Sequence, residues 1–216
     1  MEMLEIMKQR HSVRQYTDRA IEPEKRKVLD ALAAAINREA GLHIQILYGE
    51  PKCFDSMMAH YGKFSGVQNY IALVGPKSDT LDETLGYYGE QLVLKAQELG
   101  LNTCWVAMTH GKSKAEIGAG EKQVCLISLG YGSTSGAVHK NKTLPEVCNH
   151  RDGMPQWFVN GVNAALLAPT AMNQQKFFFT LQPDGSVKAT CGKGFYTKLD
   201  LGIVKYHFEL GSGRKL

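Results

Sequence analysis

Nowhere in its 216 residues does the sequence hold an apolar run near the roughly 18 residues of a membrane span. The opening Met1-Glu2-Met3-Leu4-Glu5 carries acids where a signal peptide has a basic stretch and an apolar core, so a cytoplasmic protein with no membrane partner is expected. Cysteine is sparse. Cys53, Cys104, Cys125, Cys148 and Cys191 are scattered, odd in number and free of any Cys-x-x-Cys, which predicts reduced thiols. The histidines include no His-x-x-x-His and no His-Glu pair, which argues against a metal centre. One-sided charge is missing too. With 25 basic against 21 acidic residues the formal net charge is +4, and no dense basic stripe marks a nucleic-acid partner. Gly130-Tyr131-Gly132 lacks the third glycine of a dinucleotide fingerprint, and Ser12 lacks the strand-to-helix elbow of a hydrolase nucleophile.

What remains is the composition of a soluble globular protein, 44% hydrophobic and 21% charged, with length for one large domain or two small ones. A short helix is predicted over residues 3–9. Pro23 opens a second, with Val28, Leu29, Leu32 and Ile36 at helical spacing and Gly41 beyond its end. Residues 42–47 alternate apolar and polar, the pattern of a half-buried strand. After a polar connection, Tyr70-Ile71-Ala72-Leu73-Val74 reads as a buried strand stopped by Gly75-Pro76. Residues 86–99 have the strongest helical pattern, with Gly100 where a C-terminal cap is wanted. Further strands are predicted over 104–107 and 124–129, and helices over 144–148 and 157–167, the latter ending ahead of Pro169. Residues 176–181 and 186–191 form a hairpin about Pro183-Asp184-Gly185, and a last helix covers about 199–210. The class is α+β, with mixed strands and several helices.

Three segments could carry chemistry. Arg10, Ser12 and Arg14 are spaced by two, so an extended backbone projects them to one side. Two guanidinium forks and a hydroxyl suit a phosphate or a carbonyl-bearing ring edge, although a solvated loop has the same composition. Lys140 and Lys142, past the strand that ends at Leu129, could close on a phosphate or simply face solvent. Asn173 and Gln175 bring amides that donate and accept, matching a pyrimidine ring or satisfying local backbone. Trp105 and Phe177-Phe178-Phe179 are expected to be core.

In their order along the chain these segments resemble the FMN-dependent nitroreductase family. Lys8-Gln9-Arg10-His11-Ser12-Val13-Arg14-Gln15-Tyr16 is similar to that family's Arg-Arg-Ser-x-Arg-x-Phe opening, with His11 where arginine is usual. Leu99-Gly100-Leu101-Asn102-Thr103-Cys104-Trp105 resembles its Leu-Gly-Leu-Gly-Thr-x-Trp strand, and Gly130-Tyr131 with Lys140-x-Lys142 its Gly-Tyr and Lys-x-Arg segment. The family's Ala-Pro-Ser-x-x-Asn-x-Gln segment is displaced. Its place near residues 35–45 is taken by other sequence, and the match falls at Ala168-Pro169-Thr170-Ala171-Met172-Asn173-Gln174-Gln175. Asp200-Leu201-Gly202 follows, similar to the Asp-x-Gly start of the family's next helix.

The resemblance is to the Thermotoga-type subgroup with a tandem partial repeat. It implies a nitroreductase-like mixed sheet flanked by helices, with residues 1–150 as the FMN-binding core and 151–216 as a partial second copy packed against it. Such a chain is a monomeric pseudo-dimer or a homodimer. The resemblance further implies FMN held by Arg10, His11, Ser12 and Arg14, by Lys140 and Lys142 at the phosphate, and by Asn173 and Gln175 at the ring. Ala107, Met108 and Thr109 would bring a backbone N–H near flavin N5. NAD(P)H would deliver hydride and a nitroaromatic, quinone or similar flat acceptor would take the electrons, with no dedicated protein acid or base. The alternatives are a flavin-binding protein without enzymatic activity that keeps the fold, and a flavin-cleaving or dehalogenating relative.

Overall fold

The computed structural model describes residues 2–216. In chain order the elements are α1 (Met3–Gln9), α2 (Pro23–Ala40), β1 (Gln45–Leu47), α3 (Met57–Tyr61), β2 (Asn69–Pro76) and α4 (Leu81–Glu98). Then come β3 (Asn102–Val106), β4 (Glu121–Gly130), α5 (Leu144–Val147), α6 (Gln156–Ala165), β5 (Phe177–Leu181), β6 (Val187–Cys191) and α7 (Thr197–Ser212). The fold is α+β, as the sequence predicts. It divides into two compact units. One holds Gln9–Leu81 and Leu92–Ala137; the other holds the chain up to Lys8, Asp82–Gln91 and Val138–Leu216.

The sheet unit is built on four strands in the order β1-β2-β4-β3. Every ladder in it is antiparallel, and parallel pairing is confined to single bridges such as Ser12 with Thr103. β2 is buried from Asn69 to Gly75, which accounts for its continuous apolar sequence. Cys53, Phe54, Phe64 and Val67 pack with Tyr70 and Ala72 of β2 and with Cys104, Val106 and Leu126 into one core cluster. α2 ends as its sequence predicts, at Gly41 in the left-handed region (φ 63°), whose N–H returns to the Asn37 carbonyl.

Two expectations change in this unit. The strand predicted over 42–47 shrinks to Gln45–Leu47. Asn37 takes the preceding backbone: its Oδ1 accepts from Ile44 N and its Nδ2 donates to Ile44 O, both at 2.8 Å. His43 N–H still donates to Val74 O (2.9 Å), so Ile44 faces away from β2 and Asn37 satisfies its two groups on the outer side of the strand. The polar connection before β2 contains a short helical turn, Pro51–Phe54, and α3, whose Ser56 cap accepts from Ala59 N.

In the second unit α6 and α7 pack against each other over Phe158, Phe179 and Phe208, with Phe179 stacked on Phe208 at 4.6 Å. Phe177 and Phe179 are core, as expected, while Phe178 turns outward. α4 begins five residues before the predicted start at Gly86, because that glycine is a packing position. A Cβ there would overlap the Leu199 carbonyl, and a Cβ at Gly202 would overlap the Glu83 carbonyl. Two helices can approach this closely only where both lack a side chain. Next to this crossing, fully buried His207 donates from Nδ1 to the Ala164 carbonyl (3.1 Å) and meets Glu90 through Nε2 (2.9 Å).

Candidate functional site

In the sheet unit, residues 12–16 run extended because their backbone is paired on both edges. Val13 N–H donates to Thr103 O (3.0 Å), Ser65 N–H to Arg14 O (3.0 Å) and Tyr16 N–H to Ser65 O (2.9 Å). Val13 and Tyr16 are buried, and the Tyr16 hydroxyl is anchored by Ser128 (2.8 Å) and the Val13 carbonyl (2.7 Å). Ser12 is partly exposed and Arg14 and Gln15 are exposed, whereas Arg10, two residues before Ser12, is buried, so the segment does not keep the two-residue period through its whole length.

Arg10, Ser12 and Arg14 share one neighbour. It is the Cys104 thiol of β3, whose pKa is raised by burial while Arg14, Ser12 and Arg10, in that order, pull it down. Arg10 is itself almost fully buried, and the Arg14 guanidinium lies 5.9 Å from the centre of the Phe64 ring. His11 is covered by Gly136, which has φ 73° and where a Cβ would run into the His11 Cβ and the Ser12 carbonyl. Cys104 carries no motif, and its position beneath these side chains is evident only in the fold.

Ala107, Met108 and Thr109 lie on the loop after β3. Met108 is well exposed, Ala107 and Thr109 half-buried, and Thr109 packs against Gly62 at the end of α3. Gly111 N–H donates to Cys53 O at 2.6 Å, tying the loop to the turn that precedes α3.

In the second unit, Lys140, Lys142, Asn173 and Gln175 line one cavity of about 450 Å³, together with Asn141, Thr143 and Glu146. Gln175 is 2% exposed and organises it. Its Oε1 accepts from Lys142 N (3.0 Å), and its Nε2 donates to the Lys140 carbonyl and to Asn173 Oδ1, each at 2.8 Å. Asn173 Nδ2 also donates to the Lys140 carbonyl (2.8 Å), and the Lys142 ammonium donates to the Gln175 carbonyl (2.9 Å). One Gln175 amide hydrogen thus holds the loop and the other holds Asn173, leaving Gln175 one acceptor lone pair for a ligand, whereas Asn173 keeps one hydrogen. Glu146 has its carboxyl held below the usual range by the Thr143 N–H and hydroxyl, so the rim carries two cations and one anion.

The backbone below this cavity is unusual. Met172, Asn173 and Gln175 have φ of 51°, 52° and 44°, left-handed values that each cost a non-glycine residue about 1 kcal/mol or more. Side chains hold the turn in that shape. Thr170 Oγ1 accepts from Gln175 N (3.1 Å), and Asp200 accepts from Ala171 N (3.0 Å) and from Gln174 Nε2 (2.7 Å). Gln174 and Asp200 are contributors that sequence reasoning missed; the sequence marks Asp200 only as an acid beginning a helix.

Comparison with known proteins places this fold and these segments in one class. The family model described as "Putative TM nitroreductase" matches residues 2–212, and the chain belongs to that family. Among solved structures, a putative nitroreductase from Thermotoga maritima is 23% identical, covers 98% of this chain and 83% of its own, and superposes with a TM-score of 0.71. An FMN-dependent nitroreductase from Clostridium difficile is 20% identical over 69% of this chain and 98% of its own, with a TM-score of 0.52. A putative nitroreductase from Desulfovibrio desulfuricans, solved in complex with FMN, is 18% identical over 68% of this chain and 94% of its own, with a TM-score of 0.53. At these identities the likeness is one of fold. Comparison with curated proteins finds no match.

Proposed function

We propose that the protein is an FMN-dependent oxidoreductase that takes hydride from NAD(P)H and passes electrons to a nitroaromatic, a quinone or a similar flat acceptor. The observation that carries this reading is the cavity of Lys140 and Lys142, two ammonium groups fixed on a loop by a buried amide, within a chain of the nitroreductase family. FMN in the names of two structural neighbours supports the choice of cofactor. The donor chemistry of the residues fits it. Lys140 and Lys142 would hold the phosphate, and Arg10, Ser12 and Arg14 offer donors for the ribityl chain or the pyrimidine carbonyls, with His11 beside them. Asn173 keeps an amide hydrogen for the ring edge, Gln175 acts chiefly by holding the loop, and Ala107, Met108 and Thr109 would lie near N5. When bound, the flavin supplies the hydride and electron chemistry, so the chain's own task is to bind, orient and exclude water.

The same reading takes residues 1–150 as the flavin-binding core and 151–216 as a partial second copy of its first half. The helix crossing supports it. Gly86 meets Leu199 and Ile203, three residues before and one after Gly202; Gly202 meets Glu83 and Tyr87, three before and one after Gly86. Reciprocity of this kind is what a two-fold axis between equivalent helices produces.

A visible spectrum of the purified protein, before and after anaerobic addition of NADH or NADPH, tests the proposal. Flavin bands that bleach are the expected result. A colourless protein that takes up no added FMN sinks the cofactor assignment, and bands that persist through both nucleotides would make it a passive flavin binder.

A further inference from the structure

The 170–175 turn adopts its left-handed conformation with no glycine in it, so something must hold it there. The group with both of its oxygens engaged on this turn is Asp200, in the first turn of α7 and 5% exposed. Oδ1 accepts from Ala171 N at 3.0 Å and Oδ2 from Gln174 Nε2 at 2.7 Å. That same Gln174 nitrogen donates to Phe195 O at 2.9 Å, which ties the turn to the chain before α7. From the turn, Gln175 reaches the backbone of Lys140 and Lys142.

We propose that Asp200 is the positioning residue of the cavity: its carboxylate fixes the 170–175 turn, and through Gln175 the turn fixes the lysines that bind the anionic end of the ligand. This deepens the FMN reading and rests on it for the identity of the ligand. Asp200 is more than filler at a helix start. Burial pushes its pKa up to about 6, with only the Ala171 N–H and the Gln174 amide opposing that rise. No cation is among the causes that set it. Lys176, two residues beyond Gln174, sends its ammonium to the Lys193 carbonyl (3.1 Å). Both donors on the turn need an acceptor at Asp200. Protonation puts a hydrogen on one of the two oxygens, and one donor loses its partner. The clamp is therefore closed above pH about 6 and opens as pH falls through it.

Amide hydrogen exchange on the ligand-free protein tests the clamp, and FMN titration tests its consequence. In Asp200→Asn, protection at Ala171, Gln175 and Lys142 is expected to fall about tenfold, the factor for one hydrogen bond of ordinary net strength. Wild type is expected to show the same loss between pH 7 and 5, and the variant to show no such pH step. FMN affinity is expected to fall about tenfold in the variant at pH 8, with the melting temperature held or raised, because the neutral amide removes a buried charge. Unchanged protection, or a step that survives in the variant, overturns the proposal. So does looser exchange with FMN affinity intact, or a melting temperature that falls along with affinity. If wild type takes up no FMN, the cofactor reading fails, and exchange alone still decides whether Asp200 is the clamp.

Discussion

Two basic segments, one in each unit, are held in opposite ways. Residues 10–14 are fixed by backbone. Thr103 and Ser65 pair with the chain around Val13 and Tyr16, whose side chains are in the core. Residues 140–142 are fixed by side chains. Gln175 grips the loop, and Thr170, Gln174 and Asp200 grip the turn that carries Gln175. The difference has a physical consequence. A backbone ladder has no titratable member and no single side chain to delete, whereas a chain of amides and one carboxylate has several. The first segment should resist a change of pH, and the second should answer to it.

The contrast is broken most forcefully at Gly66. Its φ is 69°, and a Cβ there would overlap the Tyr16 carbonyl, beside the Ser65 pairing that fixes residues 14–16. Gly66→Ala should cost about 3 kcal/mol, from left-handed strain and overpacking together. For a chain of this length that is a fall in Tm of roughly 6–12 °C. A Tm within about 2 °C of wild type would mean that the backbone framework yields easily and that the two segments differ less than their hydrogen bonds indicate.

A smaller effect is expected at the other segment. Gln175→Ala removes a buried amide and leaves Lys142 N without its acceptor and the Lys140 carbonyl short of one donor. Leaving such groups unmatched costs about 1–3 kcal/mol. Stability and FMN retention should fall together, read by thermal melting and by flavin titration of the same preparation. Loss of affinity at unchanged Tm would make Gln175 a direct ligand and not a scaffold.

The two ways of holding a segment also explain what could be read from the sequence. Backbone-built features announce themselves: the buried run of β2, the Pro183-Asp184-Gly185 hairpin and the Gly41 stop all follow from local patterns. Side-chain devices do not. Nothing near Ile44 reveals that Asn37 will take its N–H and carbonyl. Left-handed turns are read from glycine, and Met172, Asn173 and Gln175 offer none. Asp200 finds its partners 26 and 29 residues away, beyond the reach of any periodicity. The candidate residues were legible through the order of family-like segments; the geometry that aims them was not. α3 was missed for a related reason, since a five-residue helix has too few turns to show a period.

The sharpest form of the comparison uses the smallest perturbation of the fold. Arg14 is exposed, and its framework contact is a backbone carbonyl that survives truncation of the side chain. Its guanidinium stands near Phe64 and Cys104 at the edge of the core without being part of it. Arg14→Ala should therefore change stability by no more than about 0.5 kcal/mol, the range of ordinary surface substitutions. Loss of one charge-assisted contact to the flavin should still weaken FMN binding by about tenfold. Set beside Gln175→Ala, this separates a ligating group from a scaffolding one in a single pair of titrations. Equal losses of Tm in the two variants would erase the distinction between the segments, and unchanged FMN affinity in Arg14→Ala would remove that residue from the site.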